Sequence, residues 1–288
     1  MRFLTISVFH AGDPFRSGNP VAVFPDAGEL EPSQMQAIAR TMNLSESTFV
    51  TAGDDASYDV RIFTPREELP FAGHPTLGTA WCLRHLGRIA GESCVQRSPA
   101  GETAVTVRGD MLFFERSGTA APDLEKTNIR AHLETAKALR LEERDVTLEA
   151  YELGRNGLLR PALVDAGLGH FVVPLRDLDA LGRVQVDQER LEKLSPFGAY
   201  CFTGVGAGKV RARGLFPATG VEEDPATGSA AACLGVYLAD RLGDIEFTVD
   251  QGVEFGRPSH MSVAATTTSV RVGGRCELLL TGNLERLP

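Results

Sequence analysis

Three short segments hold the side chains able to move protons. FAGHPTLGT at 71–79 sets His74 between a glycine and a proline, and EDPATGSAA at 223–231 repeats the frame with Asp224 in the histidine's place. NLSESTFV at 43–50 puts Glu46 among hydroxyls, with Leu44 and Phe49 nearby. A carboxylate in a partly apolar cleft has its pKa raised toward neutrality, which makes it a usable proton shuttle. Each residue also has a plainer reading. Asp is a common helix cap, a histidine beside proline can simply pack in a turn, and most glutamates are solvated.

The plain readings weaken once the chain is compared with itself, since three segments recur in order at separations of 150 to 152 residues. SGNPVAVF at 17–24 aligns with LGHFVVPL at 168–175, RIFTP at 61–65 with RGLFP at 213–217, and HPTLGTA at 74–80 with DPATGSA at 224–230. The last alignment places Pro75 on Pro225, Gly78 on Gly228 and Thr79 on Ser229. A duplicated unit follows, with a first domain over 1–118, a second over 119–288 and a junction within SGTAAPDLEKTN at 117–128. The strand that would match Glu46's, FGAYCFT at 197–203, has no acid near that position. The base therefore belongs to one half alone.

The elements that must position these groups are a strand-rich frame and two unusual helices. PTLGTAWCLRHL from Pro75 and PATGSAAACLGVYLADRL from Pro225 are apolar on nearly every side, the mark of a helix buried in the middle of a domain. Gly87 and Gly243 stand where left-handed caps are wanted. PSQMQAIARTMN at 32–43 carries Met35, Ile38, Ala39 and Met42 on one stripe and reads as an outer helix. Alternating runs such as YDVRIFT, TAVTVRG, FTVDQG, TSVRVGG and CELLLTG supply strands. The expected fold class is α+β, with two pseudo-symmetric domains, each a mostly antiparallel sheet rolled around a central apolar helix, and a cleft between them. His74 and Asp224 are then expected just before the starts of the core helices, where exposed N–H groups and the positive dipole end hold a carboxylate or oxyanion. The small residues Gly73, Gly78, Thr79, Gly228 and Ser229 would let a ligand approach that backbone.

Composition narrows the function. The 288 residues hold 38 acidic against 29 basic side chains, a net charge of -9, with no basic block to suit nucleic acid or an anionic membrane. Five cysteines, scattered and never in a CxxC pair, suggest neither a disulfide framework nor a zinc site and fit a reducing cytoplasm. The opening MRFLTISVFHAGD reads as a first strand and not as a signal segment. No apolar run approaches the ~20 residues that a bilayer requires. The six histidines form no HxxxH motif, and Gly204 to Gly208 reads as a hairpin turn instead of a phosphate loop.

Taken in order, GNPVAV, NLSESTF, FAGHPTLG, EDPATGSA and QGVEFGRPS resemble the signature segments of the phenazine-biosynthesis PhzF-like family of cofactor-independent isomerases, within the diaminopimelate-epimerase-like fold. The match runs from about residue 10 to 260, and EDPATGSA and NLSES are its specific parts. The resemblance implies two domains of the kind described, often a homodimer, with the last strand, 276–288, a candidate to return to the first domain. It implies Glu46 as the catalytic glutamate and His74 and Asp224 as its substrate-positioning and proton-handling partners. Asn19, Gly73, Gly228 and Ser229 are implied as substrate-binding. It implies no metal and no organic cofactor. The related epimerases use two thiols, one per half, whereas Cys82 and Cys233 here sit inside the apolar helices, where cysteine packs as a small core residue. The leading expectation is an isomerase that moves a proton between carbons of a small carboxylated substrate. An amino-acid or hydroxy-acid epimerase using Glu46 with His74 or Asp224, or a non-catalytic small-acid binding protein, are the alternatives.

Overall fold

The computed structural model describes residues 1–117 and 129–288. Apart from Ser117, the predicted junction, and with it the 118/119 boundary, lies outside the described residues. The fold is mixed α/β, rich in strands with few helices, and the chain divides into two compact units: Met1–Arg116 with Val272–Pro288, and Ser117–Arg271.

The first unit contains β1 (Arg2–Val8), β2 (Asn19–Phe24), α1 (Pro32–Met42), β3 (Glu46–Gly53), β4 (Ser57–Phe63), β5 (Glu68–Leu69), α2 (Gly73–His85), β6 (Ser93–Ser98), β7 (Gly101–Arg108) and β8 (Met111–Ser117). β1 and β2 run antiparallel, β2 and β3 parallel, β3 and β4 antiparallel, β4 and β6 parallel, and β6, β7 and β8 form a meander. The sheet wraps α2, whose residues Gly73 to Ala80 are all buried. A helix so enclosed must satisfy its polar side chains internally. Thr76 Oγ1 donates to the Ala72 carbonyl at 2.8 Å, and Thr79 Oγ1 donates to the Pro75 carbonyl at 2.7 Å while lying 2.8 Å from Thr48 Oγ1 on β3. On the outer side, α1 buries Met35, Ile38 and Ala39 against Phe24 and Phe49, whose rings stack 4.9 Å apart. That is the stripe its sequence shows.

The second unit contains α3 (Ile129–Ala138), β9 (Leu148–Glu149), β10 (Leu158–Leu159), β11 (Ala162–Asp165), β12 (Gly169–Pro174), α4 (Leu178–Arg183), α5 (Gln188–Leu194), β13 (Ala199–Gly206), β14 (Lys209–Phe216), β15 (Val221–Asp224), α6 (Gly228–Leu242), β16 (Ile245–Gln251) and β17 (Ser259–Ala265), and the final strand, β18 (Ser269–Asn283), starts there and belongs to the first unit from Val272 on. From β11 to β17 the pairings repeat those from β1 to β7: antiparallel, parallel, antiparallel, a short strand, the buried helix, parallel, antiparallel. The aligned arginines make the same contact. Arg61 grips Glu68 through two bonds of 2.7 and 2.6 Å, and Arg213 grips Glu223 through two of 2.9 and 2.8 Å. From Cys276 onward β18 runs antiparallel to β1, in the first unit.

Several sequence expectations differ from what is seen. TSVRVGG and CELLLTG are one continuous strand, β18, because the two glycines between them are accommodated inside it. β6 (SCVQRS) and β17 (SHMSVAA) were not anticipated, being short and half polar. α4 and α5 occupy the place of α1, and their short apolar stripes, buried with α3 around Leu181 and Leu191, gave little periodic signal. The core helices also start elsewhere: α2 begins two residues before Pro75, and α6 begins at Gly228, after Pro225.

Candidate active site

In the first unit three predicted residues come together. Asn19 is the first residue of β2, Glu46 the first of β3, and the parallel pairing of these strands sets Glu46 opposite Val21. His74 is the second residue of α2. It lies inside the helix and not ahead of it, so the expectation of a residue just before the helix is corrected there. Two glycines allow the close approach. Gly18, with φ of +77°, turns the chain into β2, and a side chain there would meet Ser7 Oγ at 2.4 Å. At Gly78 a Cβ would meet Val21 Cγ1 at 2.4 Å, so this glycine seats α2 on β2 and is not a place for ligand backbone contact. Thr79, engaged by Thr48 and Pro75, is likewise a packing residue.

The geometry fixes the state of His74. Asn19 Nδ2 lies 3.3 Å from His74 Nδ1 and is a donor, so Nδ1 is the acceptor and the ring proton is assigned to Nε2. Nε2 faces Glu46 Oε2 at 3.4 Å. The imidazole is 3% exposed and the Glu46 side chain 16%. Burial lowers the His74 pKa to about 3, so the contact is a neutral N–H facing a carboxylate and not an ion pair of two charges.

In the second unit, Asp224 closes β15, four residues before α6, and does not sit directly at the helix start. It is buried. Its Oδ2 accepts from Thr227 Oγ1 at 2.6 Å, and Gln251 Nε2 donates to Thr227 Oγ1 at 2.9 Å and to the Asp224 carbonyl at 2.7 Å. Gln251 Oε1 in turn accepts from the Tyr200 hydroxyl at 3.0 Å and from the Thr227 N–H at 3.1 Å. Burial, with the Asp224 charge adding to it, pushes the Tyr200 phenol up and keeps it protonated. Gly228 and Ser229 are the first two residues of α6, as Gly73 and His74 are of α2. Ser229 Oγ lies 2.9 Å from Nε2 of His170 on β12, and burial lowers the His170 pKa to about 3. Sequence reasoning missed His170, Thr227, Gln251 and Tyr200. Only His170 had a signal, since the Gly18 to Gly169 alignment places it on Asn19.

All five cysteines are buried as free thiols. Burial pushes Cys82 up to about 12, and Cys233 donates to the carbonyls of Val164 and Leu168 at 3.2 and 3.3 Å. Neither is poised as a thiolate base. Among the described residues no group of three or more His, Cys, Asp or Glu side chains could hold a metal ion, and no helix is long and apolar enough to cross a membrane.

Known proteins are similar to this chain over most of its length. The trans-2,3-dihydro-3-hydroxyanthranilate isomerase of Pseudomonas fluorescens is 40% identical over 260 residues, covering 86% of this chain and 85% of its own. The protein of the same name from Pseudomonas aeruginosa is 38% identical over 286 residues, covering 94% and 92%. A PhzF-family phenazine biosynthesis protein from Bacillus anthracis superposes with a TM-score of 0.81 at 22% identity, covering 98% of each chain. A hydroxyproline epimerase from Agrobacterium vitis shares the fold more distantly, with a TM-score of 0.60 at 12% identity over 98% of this chain and 91% of that one. The profile of the family described as phenazine biosynthesis-like protein matches residues 6–282. With that span matched and with relatives at 38 to 40% identity named isomerases, this chain belongs to the phenazine biosynthesis-like protein family and is an isomerase.

Proposed function

We propose that Glu46 moves a proton between two carbons of a small carboxylated substrate, without metal or organic cofactor. The observation that carries this reading is the largely buried Glu46 carboxylate facing the neutral Nε2–H of His74, which Asn19 holds in one tautomer. A base needs a defined direction toward the carbon it deprotonates. Glu46 takes the proton, the electron pair left behind shifts through the conjugated system, and the protonated Glu46 returns the proton at the second carbon. Nothing is oxidised or reduced. His74, neutral across the physiological range, is assigned as the group that faces one carboxylate oxygen and orients it, in preference to a second acid.

Asp224 and Ser229 are assigned to the same reaction as substrate-positioning groups, with Gly73 and Gly228. The support is the burial of Gly73, Gly228 and Ser229 at the start of a core helix and of Asp224 four residues before one, the family resemblance and the repeated frame. The relatives' substrate, trans-2,3-dihydro-3-hydroxyanthranilate, is the first compound to offer. A homodimer and a cytoplasmic location are proposed from the resemblance and from the scattered free thiols. Analytical ultracentrifugation tests the dimer.

An epimerase with Glu46 and His74 on opposite faces of one carbon is a poorer fit, because the two groups lie 3.4 Å apart and leave no room for a carbon between them. The deciding experiment is turnover in deuterium oxide by wild type and Glu46→Gln. Wild type is expected to incorporate solvent deuterium at the carbon that gains the proton, and the variant to lose turnover. An unimpaired variant overturns the assignment.

A further inference from the structure

The buried imidazole of His170 has no part in the proton transfer just described. It is 4% exposed, and its ring meets Phe216 edge to face at 5.5 Å. Nε2 is bonded to Ser229 Oγ at 2.9 Å, and Nδ1 has no hydrogen-bond partner among the described residues. A buried polar atom left without a partner is disfavoured, and such atoms collect where function needs them.

The unpartnered nitrogen also selects a tautomer. Orphaned buried N–H groups are rarer than orphaned acceptors, so Nδ1 carries the lone pair and Nε2 carries the proton. His170 then donates to Ser229 Oγ, and the serine keeps its own proton for a third group. The first unit makes the same arrangement with other residues. There Asn19, at the start of β2, donates to His74, the second residue of α2, which leaves the His74 proton to face Glu46. Here His170, at the start of β12, faces Ser229, the second residue of α6. In each unit a strand residue fills the acceptor of a helix residue and turns that residue's proton outward.

We propose that His170 is a positioning residue that makes Ser229 a fixed hydrogen-bond donor to an anionic oxygen of the substrate, its carboxylate in the first instance. The inference rests on the reading of Ser229 as a substrate-binding residue. Because His170 is neutral over the working range, the donor is set at every pH near neutrality and is not switched by titration.

Calorimetric binding of 3-hydroxyanthranilate and of its uncharged carboxamide tests this on the full chain. Wild type is expected to prefer the carboxylate, and His170→Phe and Ser229→Ala each to lose about 10-fold of that preference, the scale of one hydrogen bond to a charged group. The double variant should be no worse than either single one. His170→Gln, which keeps a donor near Nε2, should recover most of the loss. The wild-type preference should stay flat from about pH 6 to 8, a range that spans the ordinary histidine pKa of about 6.5 and lies above the lowered one. Additive losses, or a His170→Phe variant that binds like wild type while Ser229→Ala does not, overturn the positioning role. If His170→Phe fails to fold, nitrogen-15 shifts of the wild-type imidazole decide: a protonated Nδ1 sinks the proposal. Loss of deuterium exchange in Glu46→Gln tests the proton-transfer reading alone, and the binding preferences of the wild type and of the His170 and Ser229 variants test this one, so the two readings fail separately. Absence of carboxylate binding by wild type would overturn the carboxylate-binding reading and this inference with it.

Discussion

The two units place different chemistry on one frame. Position one of β3 is Glu46, and position one of β13 is Ala199. Position two of α2 is His74, and position two of α6 is Ser229. The first unit therefore offers a carboxylate and a neutral ring that can steer a proton, while the second offers a hydroxyl and the Asp224–Thr227–Gln251–Tyr200 chain of hydrogen bonds, which holds a shape. Duplication supplied two helix starts. Divergence at a few buried positions then gave the two starts different side chains.

The largest expected break in that comparison is Glu46→Gln. It should lower turnover by roughly 10² to 10⁴-fold, the range for a lost general base, whereas Ala199→Glu should not restore it. Steady-state kinetics with the relatives' substrate checks both.

Next comes acid sensitivity, which both units should share. His74 and His170 each have a folded pKa of about 3, against an ordinary 6.5. The unfolded chain binds the extra protons, so this stability is complete above pH 6.5 and is lost as the pH falls toward 3. Each histidine should contribute a slope of about 1.4 kcal/mol per pH unit in that window. Urea melts at pH 7 and pH 5 measure it, and replacing either histidine by Gln should remove its share of the slope.

A smaller effect is expected from Asn19→Ala, which takes away the donor to His74 Nδ1 and should cost about 1 to 3 kcal/mol, the range for stranding a buried acceptor. Its rate should fall as well, because His74 is then free to take the other tautomer. At the low end, Gly87→Ala should destabilise by about 1 to 2 kcal/mol, the usual penalty for a side chain in the left-handed region, since its φ is +70°. A thermal melt suffices for each.

Much of this was legible in the sequence because duplication makes a chain its own reference. Gly18 on Gly169 and Arg61 on Arg213 were readable as pairs, and the repeated arginine–glutamate grips bear out the second. Glu46 and His74 were legible because a charged or titratable residue amid apolar ones stands out. The helix starts were not. Pro75 and Pro225 align, yet one lies inside its helix and the other before it, since proline tolerates both settings and the buried surroundings decide. The alignment thus paired His74 with Asp224, whereas the place in the helix pairs His74 with Ser229. Gln251 and Tyr200 were hidden for another reason. Their roles come from long-range packing, and nothing local marks a glutamine or tyrosine that will bond across 51 residues.

The course of β18 bears on how the chain is made. Its last half lies beside β1, the Phe9 N–H donates to the Arg275 carbonyl, and the N-terminal amine donates to the Leu284 carbonyl. The unit that emerges first from the ribosome thus lacks one of its strands until residues 276–283 have been synthesised. Residues 1–116 expressed alone would leave the open edge of β1 without its neighbour, a template for pairing with other chains. The second unit, finished earlier, is placed to fold while the first still waits for its final strand.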